Sequence, residues 1–158
     1  MLRLTQASSQ SDVEDARQLF KEYEAGLGIS LCFQNFDQEL ANLPGDYAPP
    51  RGRLLLAREF DQTMGCIALR PLGPTTCEMK RLFVRPEYRD RGLGRILVEG
   101  IIEEAREIGY THMRLDTIVD RMDRAVALYK SIGFVTIPPY RNNPVDTATF
   151  MELDLLKP

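Results

Sequence analysis

Between Arg89 and Arg95 three arginines and two glycines crowd into seven positions, and the chain then runs directly into an apolar, periodic stretch, VRPEYRDRGLGRILVEG (residues 84 to 100). Leu93, Leu97, Gly100, Ile101 and Ala105 recur on one helical face and Gly109 follows as a stop, so the spacing predicts a helix from Leu93 through Ile108. The first N–H groups of a helix have no intrahelical acceptor, and the aligned peptide dipoles leave positive charge there. Gly92 and Gly94 remove side chains where a ligand must approach backbone, and Arg89, Arg91 and Arg95 add donors suited to phosphate oxygens. Strand, turn, glycines and helix N-terminus together describe an anion cradle, most economically for a pyrophosphate. GxxxxGK[ST] is absent, and G-L-G-R-I-L lacks the third glycine of a dinucleotide fingerprint. The same residues also read as a solvated loop with turning glycines.

The rest of the chain supplies a frame for that helix. Leu2–Ala7 reads as a strand, and Ser11 with Glu14 as a capping box for a helix reaching about Glu24. A short helix is expected from Phe36 to Leu43, with Asn35 as its cap. Arg53–Phe60 and Thr63–Pro71 read as a hairpin and Cys77–Val84 as a third strand. His112–Asp116, Phe134–Ile137 and Ala148–Leu155 are further strands, and Asp123–Ser131 is a helix ended by Gly133. The order predicts one α/β (α+β) domain over residues 1–158. Its mixed, mostly antiparallel sheet of six to seven strands is flanked by four helices.

Composition narrows the function. A formal net charge of −3 argues against a nucleic-acid binder, which needs a basic face to displace counterions. Cys32, Cys66 and Cys77 lack CxxC spacing and read as structural thiols in a reducing compartment. Neither a secretory leader nor a membrane span of about 20 apolar residues is visible, so a cytoplasmic location is expected, with no membrane partner. The lone His112 suggests no metal site.

Arg89-Asp90-Arg91-Gly92-Leu93-Gly94 matches [RQ]-x-x-G-x-[GA], the signature of the GNAT superfamily of N-acetyltransferases. MKRLFVRPEYR upstream resembles that family's central strand and the turn after it. ALYKSIGF (residues 127 to 134) resembles its second hallmark, a helix ending in L-Y-x-x-x-G-F. The resemblance is strong over residues 76 to 136. It implies a single GNAT-like domain that moves an acetyl group from acetyl-CoA directly to a primary amine. It also implies that the acceptor is a small molecule or peptide, that no metal takes part, and that a homodimer can form.

Carried over residue by residue, the resemblance implies that the amides of Arg91, Gly92, Leu93, Gly94 and Arg95, after the signature Arg89, hold the diphosphate. The pantetheine arm would bond main chain at Leu82, Phe83 and Val84, and an amide near Phe83 would meet the developing oxyanion. Glu78 occupies the place of a catalytic glutamate, and its neighbours Cys77 and Met79 suggest a raised pKa suited to a base. An ion pair with Lys80 or Arg81 is the alternative. Tyr129 matches the family tyrosine beside the sulfur, where a hydroxyl protonates the leaving thiolate. Met122 stands where many relatives have an asparagine. In the loop PPYRNNPVD (residues 138 to 146), Tyr140, Arg141 and Asn142 are candidates for holding the acceptor. A CoA-binding module without catalysis is the competing reading.

Overall fold

The computed structural model describes residues 1–28, 31, 35–118 and 123–157. In chain order the elements are β1 (Leu2–Gln6), α1 (Gln10–Leu27), α2 (Phe36–Ala41), β2 (Arg53–Glu59), β3 (Gln62–Pro71) and β4 (Thr76–Val84). There follow α3 (Leu93–Ile108), β5 (His112–Ile118), α4 (Asp123–Ile132), β6 (Val135–Ile137) and β7 (Ala148–Asp154). Short 3-10 turns cover Gly45–Tyr47 and Pro86–Tyr88. The expected mixed α/β architecture is what forms.

The strands lie side by side as β1-β2-β3-β4-β5-β7-β6. Every pairing is antiparallel except β4 with β5, which is parallel because α3 crosses over between them. Period-two alternation sends side chains to opposite faces, and each face has its own core. On one face Leu97, Val98, Ile101, Ile102 and Ala105 of α3 pack with Cys77, Met79, Met113 and Tyr129. On the other, Ala16, Leu19 and Phe20 of α1 and Phe36 of α2 pack with Leu54, Leu56, Cys66 and Phe83.

The start of α1 differs from expectation. Ser9, not Ser11, caps the helix: its hydroxyl accepts from the Asp12 N–H at 3.0 Å, and Asp12 reaches back to the Ser9 N–H. Arg58 of β2 reinforces this arrangement with a 2.8 Å bond to Asp12. That partner lies on another element, so the local pattern around Ser11 and Glu14 gives no sign of it. Asn35 precedes α2 as expected but makes no side-chain capping bond.

Two irregularities in the sheet centre shape the site. Ala68 opposes Lys80 and Cys66 opposes Phe83, so β4 carries two residues, Arg81 and Leu82, against Ile67 alone. Arg81 takes φ 63° in this bulge, and Gly65 lies opposite the strand just beyond it; a Cβ on Gly65 would come within 2.5 Å of the Phe83 carbonyl. In addition, β4 pairs with β5 only at Thr76, Cys77 and Glu78, although both strands continue. Beyond Glu78 they diverge and leave one edge of β4 without a strand partner.

Candidate functional site

The divergence of β4 and β5 opens a cleft with a cavity of about 30 Å³, lined by Tyr23, Met79, Lys80, Arg81, Leu82, Leu115, Asp116, Thr117 and Tyr129. It lies between β4 and β5, where the sheet bonding stops. Arg81 is pinned beside it by two 2.8 Å bonds from its guanidinium to Glu39 of α2, and the same group stacks over Phe36 and Tyr23. The pair of buried Arg81 with half-buried Glu39 therefore braces the bulge.

The turn after β4 leads into the N-terminus of α3. Gly92 caps that helix with φ 76°, and a Cβ there would meet nothing within 4 Å. The first helical bond is from the Ile96 N–H to the Gly92 carbonyl at 3.2 Å. Among the described residues, none accepts a hydrogen bond from the N–H groups of Arg91, Gly92, Leu93, Gly94 or Arg95. A Cβ on Gly94 would meet the Leu128 side chain of α4 at an ordinary 3.5 Å. These amides, the open space above Gly92 and the dipole of a 16-residue helix form a cradle that fits a phosphate group.

The arginines around this cradle have different duties. Arg89 turns back, donating from Nε to the Val84 carbonyl at 2.8 Å, while Arg91 stacks over Tyr88. Arg95 donates to the Ser131 hydroxyl at 2.6 Å. All three are exposed. Phe83 points into the α1 core, Leu82 and Val84 pack toward α3, and Leu82 also borders the cavity.

Glu78 lies at the end of the β4–β5 pairing with no exposed surface. Its Oε1 accepts from Arg70 Nε at 2.8 Å, with Lys80 Nζ 3.9 Å away. Its Oε2 accepts from the Tyr140 hydroxyl at 2.7 Å and from Arg141 Nη2. Burial pushes such a carboxyl upward, but Lys80, Arg70, Arg141 and the Tyr140 hydroxyl outweigh it and bring Glu78 down to about 2. The expected upward shift is thus reversed. Cys77 and Met79 flank Glu78 in sequence but belong to the core on the α3 face. Glu78 and Lys80 share the other face. Of the two suggested ion-pair partners, Lys80 is near Glu78, whereas Arg81 is committed to Glu39.

Lys80 went unnoticed as a site residue, although its i, i+2 relation to Glu78 on a strand marks it. It is buried and borders the cavity, and burial together with Arg81 pulls its ammonium down to about 8 against the opposing pull of Glu78. Tyr129 also borders the cavity, buried and tilted against Phe134 at 5.6 Å, and burial raises its phenol well above the ordinary range. Tyr140 is held by Glu78, by edge contact with Phe150, and by stacking under Arg114 and Arg141. Asn142 is exposed; Asn143, its neighbour, donates to Asp116. Cys66 and Cys77 are free, buried thiols whose pKa values burial raises, Cys77 to about 12. Cys32, Asp120 and Met122 lie outside the described residues. Among the described residues there is no metal-binding cluster, and no helix is long and apolar enough to cross a membrane.

Residues 13–134 match the family model for the acetyltransferase (GNAT) family. The chain belongs to the GNAT family. An uncharacterized N-acetyltransferase of Schizosaccharomyces pombe is 47% identical over 148 residues, covering 92% of this chain and 90% of that protein. A GNAT-family acetyltransferase structure from Staphylococcus aureus superposes with a TM-score of 0.81 at 22% identity, covering 98% of this chain and 99% of the other. The structure of yncA from Salmonella typhimurium, solved with its cofactor acetyl-CoA, gives a TM-score of 0.70 at 19% identity, covering 99% and 95%. These two structures share the fold. Together with the family match, the relatives make this chain a GNAT-type N-acetyltransferase.

Proposed function

We propose that the protein transfers an acetyl group from acetyl-CoA to a primary amine, directly and without a covalent acyl-enzyme. The observation that supports this reading most is the edge of β4 left without a strand partner beyond Glu78, with the cavity bordered by Leu82 and Tyr129 along it and the unbonded α3 amides following β4 in the chain. Acetyl-CoA supplies the activated thioester. The amides of Arg91 through Arg95 hold its diphosphate, with Arg91 and Arg95 adding charge, and main chain at Leu82, Phe83 and Val84 guides the arm.

The chain's own groups then divide the work. Backbone amides of the β4 bulge, preorganised by Arg81 and Glu39, face the charge that develops on the carbonyl oxygen. Tyr129, kept protonated by burial, donates to the departing sulfur. Glu78 remains ionised and fixes the surrounding cations. Lys80, which borders the cavity and whose ammonium burial and Arg81 bring down to about 8, takes the proton that the acceptor's ammonium must lose, because a protonated amine is no nucleophile. The buried thiols have raised pKa values and no histidine partner in the cleft, which argues against a cysteine nucleophile.

Incubating the protein with acetyl-CoA and a panel of amines tests the reading. Release of CoA thiol together with an acetylated product supports it. Thermal stabilisation by CoA without acetyl transfer to any amine points instead to a binding module.

A further inference from the structure

Glu78 draws cations from three separate segments. Arg70, Lys80 and Arg141 all face it, from β3, from β4 and from the loop between β6 and β7. Asp116 of β5 is the second anion felt there, and it accepts from Asn143. Arg114 is already matched by Glu152 at 2.8 Å. Two guanidinium groups and one ammonium thus gather at a single buried carboxylate.

Donors are left over. A guanidinium has five N–H groups. Arg70 and Arg141 each bond Glu78 through one nitrogen, and no other described residue accepts from either. Their side chains are 29% and 23% exposed, so the remaining N–H groups are open to solvent. Glu78 fixes both planes, which reduces the entropy lost on binding a second anion. Lys80, next to the same carboxylate, borders the cavity itself.

We propose that Arg70 and Arg141 form a carboxylate-recognition subsite, so that the amine acetylated by this protein also carries a carboxylate, as a free amino acid does. The inference rests on the acetyltransferase reading above. The carboxylate settles on the two guanidinium groups, and the amine then lies toward Lys80 and Tyr129. Polyamines, which bring only positive charge, are poor acceptors.

The test uses the full chain with acetyl-CoA and four acceptor sets: free amino acids, their primary amides, the matching decarboxylated amines, and spermidine. Readouts are thiol release and the mass of the product. Some free amino acid is expected to exceed its own amide and decarboxylated amine in kcat/KM by about 10- to 100-fold, the effect of losing a bond to a charged group. Arg141→Gln and Arg70→Gln should raise KM for that amino acid and collapse its advantage over the amide. Arg141→Lys, which keeps the charge, should restore part of it. Unaltered CoA affinity and cooperative melting establish that each variant is folded. Spermidine or decarboxylated amines as the better acceptors, an advantage that survives both glutamine variants, or CoA binding with no carboxylated amine acetylated would each overturn the subsite. Absence of both CoA binding and transfer would remove the acetyltransferase reading, and the subsite with it.

Discussion

The Tyr140 hydroxyl donates to Glu78 Oε2 at 2.7 Å, tying the loop between β6 and β7 to a carboxylate 62 residues earlier that has no exposed surface. Arg141, the next residue, binds the same oxygen. One buried anion thus anchors the loop between β6 and β7 to β4. Removing its charge takes the shared anion away from Arg70 and Arg141, and breaking a buried pair in this way costs about 3–5 kcal/mol. Glu78→Gln is therefore expected to lose about that much stability in urea unfolding and to lower turnover. Glu78→Asp should retain more of both.

Gly92 gives a separable prediction. A side chain at φ 76° costs roughly 1–2 kcal/mol in backbone strain, and it projects into the open space where the diphosphate is expected. Gly92→Val should weaken CoA binding by about tenfold or more in calorimetry, as charge-assisted bonds are lost. Gly94→Ala, which meets only Leu128 at van der Waals distance, should be milder.

Lys80 and Tyr129 are expected to show in the pH profile. The neutral amine of Lys80 increases as pH rises through about 8, so kcat should climb across that range and then level off. Lys80→Met should abolish this limb and lower the plateau by about 10²–10⁴-fold, the usual range for a lost proton-transfer group. Tyr129→Phe should lower kcat while CoA affinity stays unchanged. Equal loss of CoA affinity would count against both roles.

Acid stability follows from the α1 cap. Hydrogen bonding from Arg58 and from the Ser8 and Ser9 amides, against a smaller effect of burial, holds the Asp12 carboxyl well below its ordinary value. The folded pKa is depressed, so the contribution is complete above the ordinary carboxylate range, near pH 4, declines below it, and is lost as pH falls through the lowered folded-state value. Asp12→Ala should cost about 1–3 kcal/mol at pH 7. The gap from wild type should shrink progressively below pH 4 in denaturant titrations.

What the sequence reveals depends on how local the cause is. Helix α3 is legible end to end, because its apolar stripe and Gly109 both belong to it, and the glycines and arginines before it mark the cradle. The hairpin of β2 and β3 is legible for the same reason. The α1 cap is harder: Ser9 with Asp12 and Ser11 with Glu14 offer the same spacing, and the choice is reinforced by Arg58, 46 residues away. Glu78 shows the limit most clearly. Its chain neighbours suggest an apolar setting, yet they face through the sheet, and the cations that govern it come from Arg70 and Arg141. Strand alternation alone would have pointed to Lys80, but no local pattern brings Arg141 to Glu78.

The central claim is that main-chain amides at the start of α3 hold the diphosphate of acetyl-CoA. Titrating CoA into uniformly ¹⁵N-labelled protein and following the amide resonances tests it directly. The account predicts the largest downfield proton shifts at Gly92, Leu93, Gly94 and Arg95, absent when pantetheine without the diphosphate is added instead. Saturable CoA binding that leaves those four amides unmoved would contradict it.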